Sequence, residues 1–143
     1  MSFDLKILEG DIDINSSGDS ELIRNYELAK QSLYKILLTP IGENIYHPGY
    51  GSNLSIISET TSGDQNYTLR LVKDSVYSAI SNLIALQQQQ STKQFLSPEE
   101  RIVSIKSVDV QFDSSDPRLL IVLVKIINGR LDTTSDSITI RLR

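Results

Sequence analysis

A stretch rich in proline and glycine, from Leu37 to Gly51, constrains the fold more than any other part of the chain. It holds two of the four prolines and three of the seven glycines of the protein. Proline lacks a backbone donor and glycine reaches conformations closed to other residues, so no periodic element can continue through it. Its apolar residues predict an ordered loop packed against the domain rather than a solvated linker; they are Ile41, Ile45, Tyr46 and Tyr50.

Apolar periodicity before the loop predicts a first helix from Glu21 to about Leu38. Steps of three and four residues put one set of apolar side chains on one helix face. That set is Leu22, Tyr26, Ala29, Leu33 and Ile36 or Leu37. The segment Ser16–Ser20 ahead of it supplies good N-cap residues.

A second helix is predicted after the loop. Leu54, Ile56 and Ile57 suggest a short buried turn, and Asp64 can then cap a helix that runs to roughly Gln88. Its apolar stripe contains Leu69, Val72, Val76, Ile80 and Leu83. The run Gln87–Gln90 is typical of a frayed helix end or a solvated loop.

The apolar period changes to two in the last third of the chain, which predicts strands. A phase slip at Lys106–Ser107 indicates a β-bulge. The segment Leu119–Ile127 is apolar at both parities until Lys125, which predicts a central strand covered on both faces by the helices. Asn128–Gly129 favours a tight turn or bulge, and the chain ends in an alternating strand. A capping-box pattern at Ser97–Glu100 predicts one helical turn.

These elements define an α+β fold class for a chain of 143 residues, a length that fits one domain. We predict a single domain over 1–143. Residues 1–19 form an N-terminal extended arm or short β ribbon, which needs a host sheet or a partner. Residues 20–90 form the helical part with the central loop at 39–51. Residues 97–143 form an antiparallel or mixed C-terminal β-sheet packed with two main helices.

Composition excludes several classes of function. There is no cysteine, so disulfide and thiol chemistry are excluded. The longest apolar run, Leu119–Val124, is far shorter than the ~20 residues that span a bilayer. The N terminus lacks the pattern of a secretory signal, so we expect a cytosolic product or a part of a larger assembly. The front of the chain is acidic and its tail basic, a pattern that fits either assembly contacts or a solvated surface. Nothing resembles a nucleic-acid-binding stripe.

No catalytic, metal-binding or cofactor-binding site is predicted. The lone His47 has neither a second histidine nor a cysteine for zinc, so a packed loop histidine is expected. Glycosidase chemistry needs two carboxylates about 5–10 Å apart. Such a pair could come from Glu43, Glu59, Glu99 and Glu100, but any chain with this many acidic residues offers similar pairs, so these residues do not indicate a glycosidase. We expect Glu43 to accept backbone hydrogen bonds within the loop. Serine-hydrolase and phosphate-loop motifs are missing from the sequence.

The loop carries a resemblance to a known family. Thr-x-x-Gly-Glu at 39–43 followed by Pro-x-Tyr-Gly at 48–51, directly after a helix ending in Leu-Leu, resembles the baseplate wedge family of contractile phage tails. That family includes the sheath-initiator protein of myophages and a baseplate component of type VI secretion systems. Gly10–Ile14 and Ser17–Asp19 are similar to the start of such phage proteins. Pro98–Ile102 resembles the Glu-Pro-Arg motif of the family, although here the proline precedes two glutamates. The resemblance covers roughly Gly10 to the C terminus.

The resemblance implies a structural protein of the virion, located in the tail baseplate and assembled in the host cytoplasm. Its partners would be tail sheath subunits and other baseplate wedge proteins, with no nucleic acid, membrane or small-molecule substrate. The implied motif or interaction residues are Thr39, Gly42, Glu43, Pro48, Tyr50, Gly51, Glu100 and Arg101. The C-terminal sheet would template the first sheath ring through strand pairing by Ile138, Thr139, Ile140, Arg141 and Leu142.

Two alternatives and one local question stay open at this point. The same fold could serve a type VI secretion baseplate or another contractile injection system. A peptidoglycan hydrolase is a further alternative, because relatives of the family are labelled lysozyme-like; loss of turbidity of cell-wall suspensions would detect it. Glu100 and Arg101 form either a cap with a surface ion pair or part of a buried or interface charge pair.

Overall fold

Within the part of the chain that the structure describes, the fold consists of three helices, a three-stranded antiparallel sheet and two short N-terminal ribbons. The computed structural model describes residues 4–8, 11–14, 16–18, 22–23, 25–60 and 64–141. The predicted α+β class is confirmed. Within these ranges no helix is long and apolar enough to cross a membrane.

The N-terminal part pairs differently from the prediction. Strand β1 (Asp4–Leu5) pairs antiparallel with β4 (Leu22–Ile23), and β2 (Ile7–Leu8) pairs with β3 (Asp11–Ile12). A ribbon is therefore present, but the predicted start of the first helix is wrong. Because Leu22 and Ile23 are held by β1, helix α1 begins at Asn25 and spans Asn25–Leu38. The expected capping residues at 19 and 20 lie outside the described residues.

Helices α2 (Leu54–Thr60) and α3 (Gln65–Ser91) follow the central loop. Asp64 caps α3 as predicted, since its Oδ1 accepts the N–H groups of Asn66 at 3.1 Å and Tyr67 at 3.3 Å. The helix includes the whole glutamine run, so the predicted fraying is wrong. The buried residues of the predicted stripe are confirmed; they are Val72, Val76, Ile80 and Leu83.

One residue predicted on the buried face of α1 is exposed. Tyr26 lies with its ring 5.0 Å from the ammonium group of Lys30. Such a cation–π contact suits a solvent-facing tyrosine. The buried face of α1 is formed instead by Leu28, Ala29, Leu33, Ile36 and Leu37.

The sheet has the order β5 (Ile102–Phe112), β6 (Leu119–Asn128) and β7 (Thr133–Arg141). Both pairings are antiparallel. The predicted bulge is confirmed, because the register of β5 shifts between Ile105 and Ser107, with a second shift nearer its start. Strand β6 is central, as its apolar sequence predicted.

The helices cover only one face of this sheet. Residues at even positions of β6 are buried in the core with side chains of all three helices, whereas those at odd positions are half-exposed. Coverage of β6 on both faces was therefore wrongly predicted. The apolar residues of its outer face, such as Ile121 and Leu123, are flanked by Thr139 and Ser137 of β7, so neighbouring strands shield them rather than a second layer.

The segment Ser97–Arg101 forms the predicted single turn and does not continue into a longer helix. The N–H groups of Glu100 and Arg101 both donate to the carbonyl of Ser97, at 3.2 Å each. Gly129, at the end of β6, donates its N–H to the carbonyls of Pro98 at 2.8 Å and Arg101 at 3.0 Å. A Cβ on Gly129 would lie 2.7 Å from the Pro98 oxygen, so glycine is needed there for close approach.

Candidate functional site

The base of the motif loop is closed by main-chain pairing. Ser52 donates its N–H to the carbonyl of Thr39 at 2.8 Å, and Ile41 donates to the carbonyl of Ser52 at 3.2 Å. The hydroxyl of Thr39 donates to the carbonyl of Lys35 at 2.7 Å, which satisfies an acceptor in the last turn of α1. These bonds fix where the loop leaves the helix and where it returns.

Ser52 and Asn53 together tie the loop to all three helices, although the motif did not include them. The side chain of Ser52 is buried and donates to the carbonyl of Leu37 in α1 while accepting the N–H of Leu54 in α2. The next residue, Asn53, donates its N–H to the hydroxyl of Ser75 in α3 at 3.0 Å. A buried serine between two elements is easily overlooked in a sequence, because serine is also common in solvated loops.

Two glycines of the loop have a positive φ. Gly42 has φ +94° and Gly51 has φ +126°. Gly51 is also buried, and a Cβ there would collide with the carbonyl oxygen of Thr39 and lie 3.0 Å from the nitrogen of Ile41. Gly51 is therefore required both for its conformation and for the close packing of the two ends of the loop.

The outer part of the loop is held by its own hydrogen bonds. Gly42 donates its N–H to the carbonyl of Pro48 at 3.1 Å, and Tyr50 donates to that of His47 at 2.9 Å. The side-chain oxygen of Asn44 accepts the N–H groups of Tyr46 at 3.0 Å and His47 at 3.1 Å. Asn44 thus organises the tip as an Asx turn.

This ordered tip presents two large apolar side chains to solvent. Ile45 is 87% exposed and Tyr46 is 89% exposed, and Ile41 near the base of the loop is 44% exposed, so the predicted packing of these three residues against the domain is wrong. Tyr50, by contrast, is partly buried against the core. Burial raises the pKa of the Tyr50 phenol, and the negative charge of Asp4 raises it further.

The two polar residues considered for chemistry in the loop are exposed. The carboxylate of Glu43 accepts no hydrogen bond from the described residues, so its expected structural role is wrong; only its N–H contributes, at 3.3 Å from the carbonyl of Pro40. His47 is exposed, and the expectation of a packed histidine is also wrong. Within the described ranges no three histidine or acidic side chains cluster in a way that could hold a metal ion.

A cleft of about 400 Å³ lies between the loop and helices α1 and α3. Its lining combines apolar side chains of α3 with the basic side chains of Lys35, His47 and Lys93. Lys35 is already engaged, since its ammonium lies 2.7 Å from a carboxylate oxygen of Asp4 in β1. The N-terminal segment is thereby attached next to the cleft.

Gln31 of α1 completes this attachment. Its side-chain oxygen accepts the N–H of Ile7 at 2.9 Å, and its amide nitrogen donates to the carbonyl of Leu5 at 2.8 Å and to Asp4 at 3.2 Å. Partial burial works to raise the pKa of Asp4, but the hydrogen bond and charge of Lys35, helped by the N–H of Leu5 and by Gln31, outweigh it. The pKa of Asp4 is therefore lowered.

We expect this attachment to weaken in acid. A carboxyl whose pKa is lowered in the folded state contributes stability above its unfolded pKa, and that contribution is lost as the pH falls through the lower folded value. The protection of the Ile7 amide against hydrogen exchange, measured by NMR, should therefore decrease relative to that of Ile80 in the core as the pH is lowered from about 4 to about 2. The Asp4→Asn variant should remove this pH dependence. An equal loss of Ile7 protection in the Asp4→Asn variant and in the wild type would contradict the assignment to Asp4.

The second motif segment, Pro98–Ile102, separates the two residues that the sequence paired. Glu100 is buried, at 2% exposure, and Arg101 is exposed. A surface ion pair joins Glu99 of this turn to Arg130, at 2.6 Å. Burial therefore distinguishes the two residues, because Glu100 lies inside the domain and Arg101 lies at its surface.

Gln87, which the sequence assigned to a solvated end, anchors this turn to α3. Its side chain is buried, donates to the carbonyl of Glu100 at 3.1 Å and accepts the N–H of Ile102 at 2.9 Å. One amide thus satisfies a donor and an acceptor of the main chain where β5 begins.

Strand β7 lies at an edge of the sheet, and its odd-numbered residues turn their backbone groups outward. Asn128 donates to the carbonyl of Asp132 at the start of the β6–β7 hairpin. Hydrogen-bonded and non-bonded pairs alternate in an antiparallel ladder. The backbone groups of even-numbered residues of β7 therefore bond to β6, and those of odd-numbered residues point away from β6. The N–H of Ser137 agrees with this, since it donates to the side chain of Asp136.

The predicted strand-pairing residues divide accordingly. Ile138 and Ile140 are buried and hold β7 to the core, whereas Thr139 and Arg141 are exposed at the open edge. Leu142 lies outside the described residues.

The architecture thus defines the class as an α+β domain with helices on one face of a three-stranded antiparallel sheet. No family model matches the chain, and no curated protein matches it. Among solved structures, it is similar to the crystal structure of a "putative tail lysozyme" from Geobacter sulfurreducens, with a TM-score of 0.60 and 18% sequence identity. The match covers 82% of this chain and 89% of that chain. At this level of identity the two proteins share a fold, and nothing more specific follows from the similarity.

Proposed function

We propose that this protein is a structural component of a contractile tail baseplate, located in the virion, which attaches to the wedge and templates the first ring of tail sheath by β-strand pairing. The observation that carries the proposal is the open edge of β7. Support also comes from the loop motif and from the fold shared with a protein whose name places it in a tail. The proposed role needs neither catalysis nor a cofactor.

The edge of β7 suits the addition of a strand from a sheath subunit. It is nine residues long, contains no proline and has outward backbone groups at every second residue. Unpaired donors and acceptors at a sheet edge bind an extended segment through main-chain hydrogen bonds. Since Ile138 and Ile140 are buried in the core, the edge is rigid before a partner arrives, which reduces the entropic cost of binding.

The tip of the motif loop suits attachment to a wedge protein. Exposed tyrosine and isoleucine side chains on a hydrogen-bonded loop lose little conformational entropy when they insert into a partner pocket, and aromatic residues dominate binding energy at protein interfaces. The buried base of the loop, around Gly51 and Ser52, would then maintain the shape of the tip. We therefore assign Tyr46 and Ile45 to wedge contacts and Gly51 to their support.

The test is sheath nucleation by variants that change only the edge. We expect Thr139→Pro to reduce the number of sheath-like polymers at least about fivefold, because it removes an outward N–H and obstructs an incoming strand. Purified sheath subunits would be mixed with each variant and the polymers counted by negative-stain microscopy. Truncating the chain before residue 136 would not test the edge alone, because it also deletes two core residues, Ile138 and Ile140.

Thr139→Val is the matched control. It keeps the backbone N–H and the β-branched shape at the same exposed position, so it should nucleate sheath as the wild type does. If Thr139→Pro nucleates as well as Thr139→Val, the edge of β7 does not template sheath. Nucleation of type VI sheath subunits in place of phage sheath subunits would assign the protein to a secretion baseplate.

A further inference from the structure

The open edge of β7 carries a hydrogen bond that blocks its middle. The Oδ1 atom of Asp136 accepts the N–H of Ser137 at 2.9 Å. Ser137 is the central residue of Thr133–Arg141, and its N–H is one of the outward groups that a pairing strand would need. A strand cannot add across this position without displacing the carboxylate.

The same arrangement recurs at two other strands of the chain. Asp4 in β1 accepts the N–H of Leu5 at 2.9 Å, and Asp11 in β3 accepts the N–H of Ile12 at 2.7 Å. Each of these strands has one described pairing partner only. Aspartate followed by an occupied N–H is therefore a repeated way in which this chain covers strand edges, and Asp136 applies it to the longest of the three.

Asp136 also determines the charge of the edge. Between Thr133 and Ile140 it is the sole ionisable residue of β7. The other charge of the strand, Arg141, lies at its end with its guanidinium 3.7 Å from the carboxylate of Asp116. When two copies of this edge pair antiparallel in the register that centres on residue 136, the two Asp136 carboxylates face each other, and like charges at that spacing repel.

A partner strand must therefore compensate what it displaces. Its carbonyl takes the N–H of Ser137, and the released carboxylate of Asp136 then needs a new donor. A lysine or arginine side chain facing residue 136 supplies both the donor and the opposite charge.

We propose that Asp136 guards the open edge of β7 against pairing with identical copies, and that the strand which binds there carries a lysine or arginine facing it. This inference rests on the proposed function, since it names the partner for the same edge. It concerns selectivity, so it is tested without sheath subunits, and its failure leaves the nucleation experiment unaffected.

The first measurement compares the self-association of two variants by sedimentation velocity. Asp136→Ala frees the N–H of Ser137 and removes the charge, so its dimer fraction should exceed that of the control about two- to fivefold at equal concentration. The control is Asp132→Ala, which removes the same charge from an exposed loop residue just before β7. Equal dimer fractions in the two variants would overturn the guarding role.

The second measurement tests the charge of the partner with the protein itself as the probe. Asp136→Lys is mixed with wild type, so that a lysine on one edge can face Asp136 on the other. The mixture should contain about two- to fivefold more dimer than the mean of the two proteins measured alone. Dimer at the mean of the separate samples would overturn the basic partner strand. Circular dichroism of each variant verifies that the fold is retained.

Discussion

Replacing Gly51 with alanine is expected to lower the free energy of unfolding by about 1–3 kcal/mol or more. The backbone there has φ +126°, where an L-residue is strained, and the added Cβ would collide with the carbonyl oxygen of Thr39. That carbonyl accepts the hydrogen bond from Ser52 that closes the loop. The methyl group therefore forces apart the two ends of the loop, and denaturant unfolding followed by circular dichroism would measure the loss.

Two other glycines of the same loop provide matched controls. Gly42 has φ +94°, but no atom lies within 4 Å of the position that an added methyl group would take, so Gly42→Ala should show the conformational strain alone. Gly49 has neither a positive φ nor a close neighbour, so Gly49→Ala should be nearly neutral. We therefore expect Gly49→Ala to be the most stable variant, Gly42→Ala to be intermediate and Gly51→Ala to be the least stable. Equal free energies of unfolding for Gly49→Ala and Gly51→Ala would show that the closure of the loop does not depend on Gly51.

Periodic elements with local signals were predictable from the sequence. The capped helix α3 and the bulged strand β5 are examples, because their caps, stripes and phase slips depend on neighbours a few residues away. The start of α1 was not predictable in the same way. Leu22 fits the helical stripe, but pairing with β1, some 17 residues earlier, overrides that local preference. Contacts between distant segments leave little trace in hydrophobic periodicity.

The loop shows the same division between local and non-local information. Its glycines and prolines predicted an ordered turn, and positive φ at Gly42 and Gly51 agrees with that. The exposure of Ile45 and Tyr46 could not be read from hydrophobicity, since apolar residues in a loop are consistent with burial and with a binding surface alike. Which of the two applies depends on how the domain orients the loop. That orientation is set by bonds between distant segments, such as those from Ser52 to Leu37 and from Asn53 to Ser75.

Polar residues at element ends were the least predictable part of the site. Gln87 belongs to a run of four glutamines, of which the other three are exposed. Only the approach of the Ser97–Arg101 turn distinguishes it from its neighbours, and that approach depends on Gly129 at the far end of β6. A repeated residue type therefore hid a single buried hydrogen-bonding position.

Gln87→Met is expected to lower the free energy of unfolding by about 2–6 kcal/mol, since two buried main-chain groups each lose a partner worth about 1–3 kcal/mol. Methionine has a similar length and fills the same space, so the loss reports the N–H of Ile102 and the carbonyl of Glu100 rather than a cavity. Gln89→Met is the matched control, because Gln89 lies on the same helix with an exposed side chain. It should be nearly neutral.

Hydrogen exchange would locate the loss caused by Gln87→Met. The amide of Ile102 should exchange faster in this variant than in Gln89→Met. The exchange rate of the Val122 amide in the central strand should change only as much as the global stability does. Selective exchange at Ile102 means that Gln87 holds the start of β5 against α3, and hence positions the second motif segment that the turn carries. Equal exchange of Ile102 in both variants would mean that the turn is held by the hydrogen bonds of Gly129 alone.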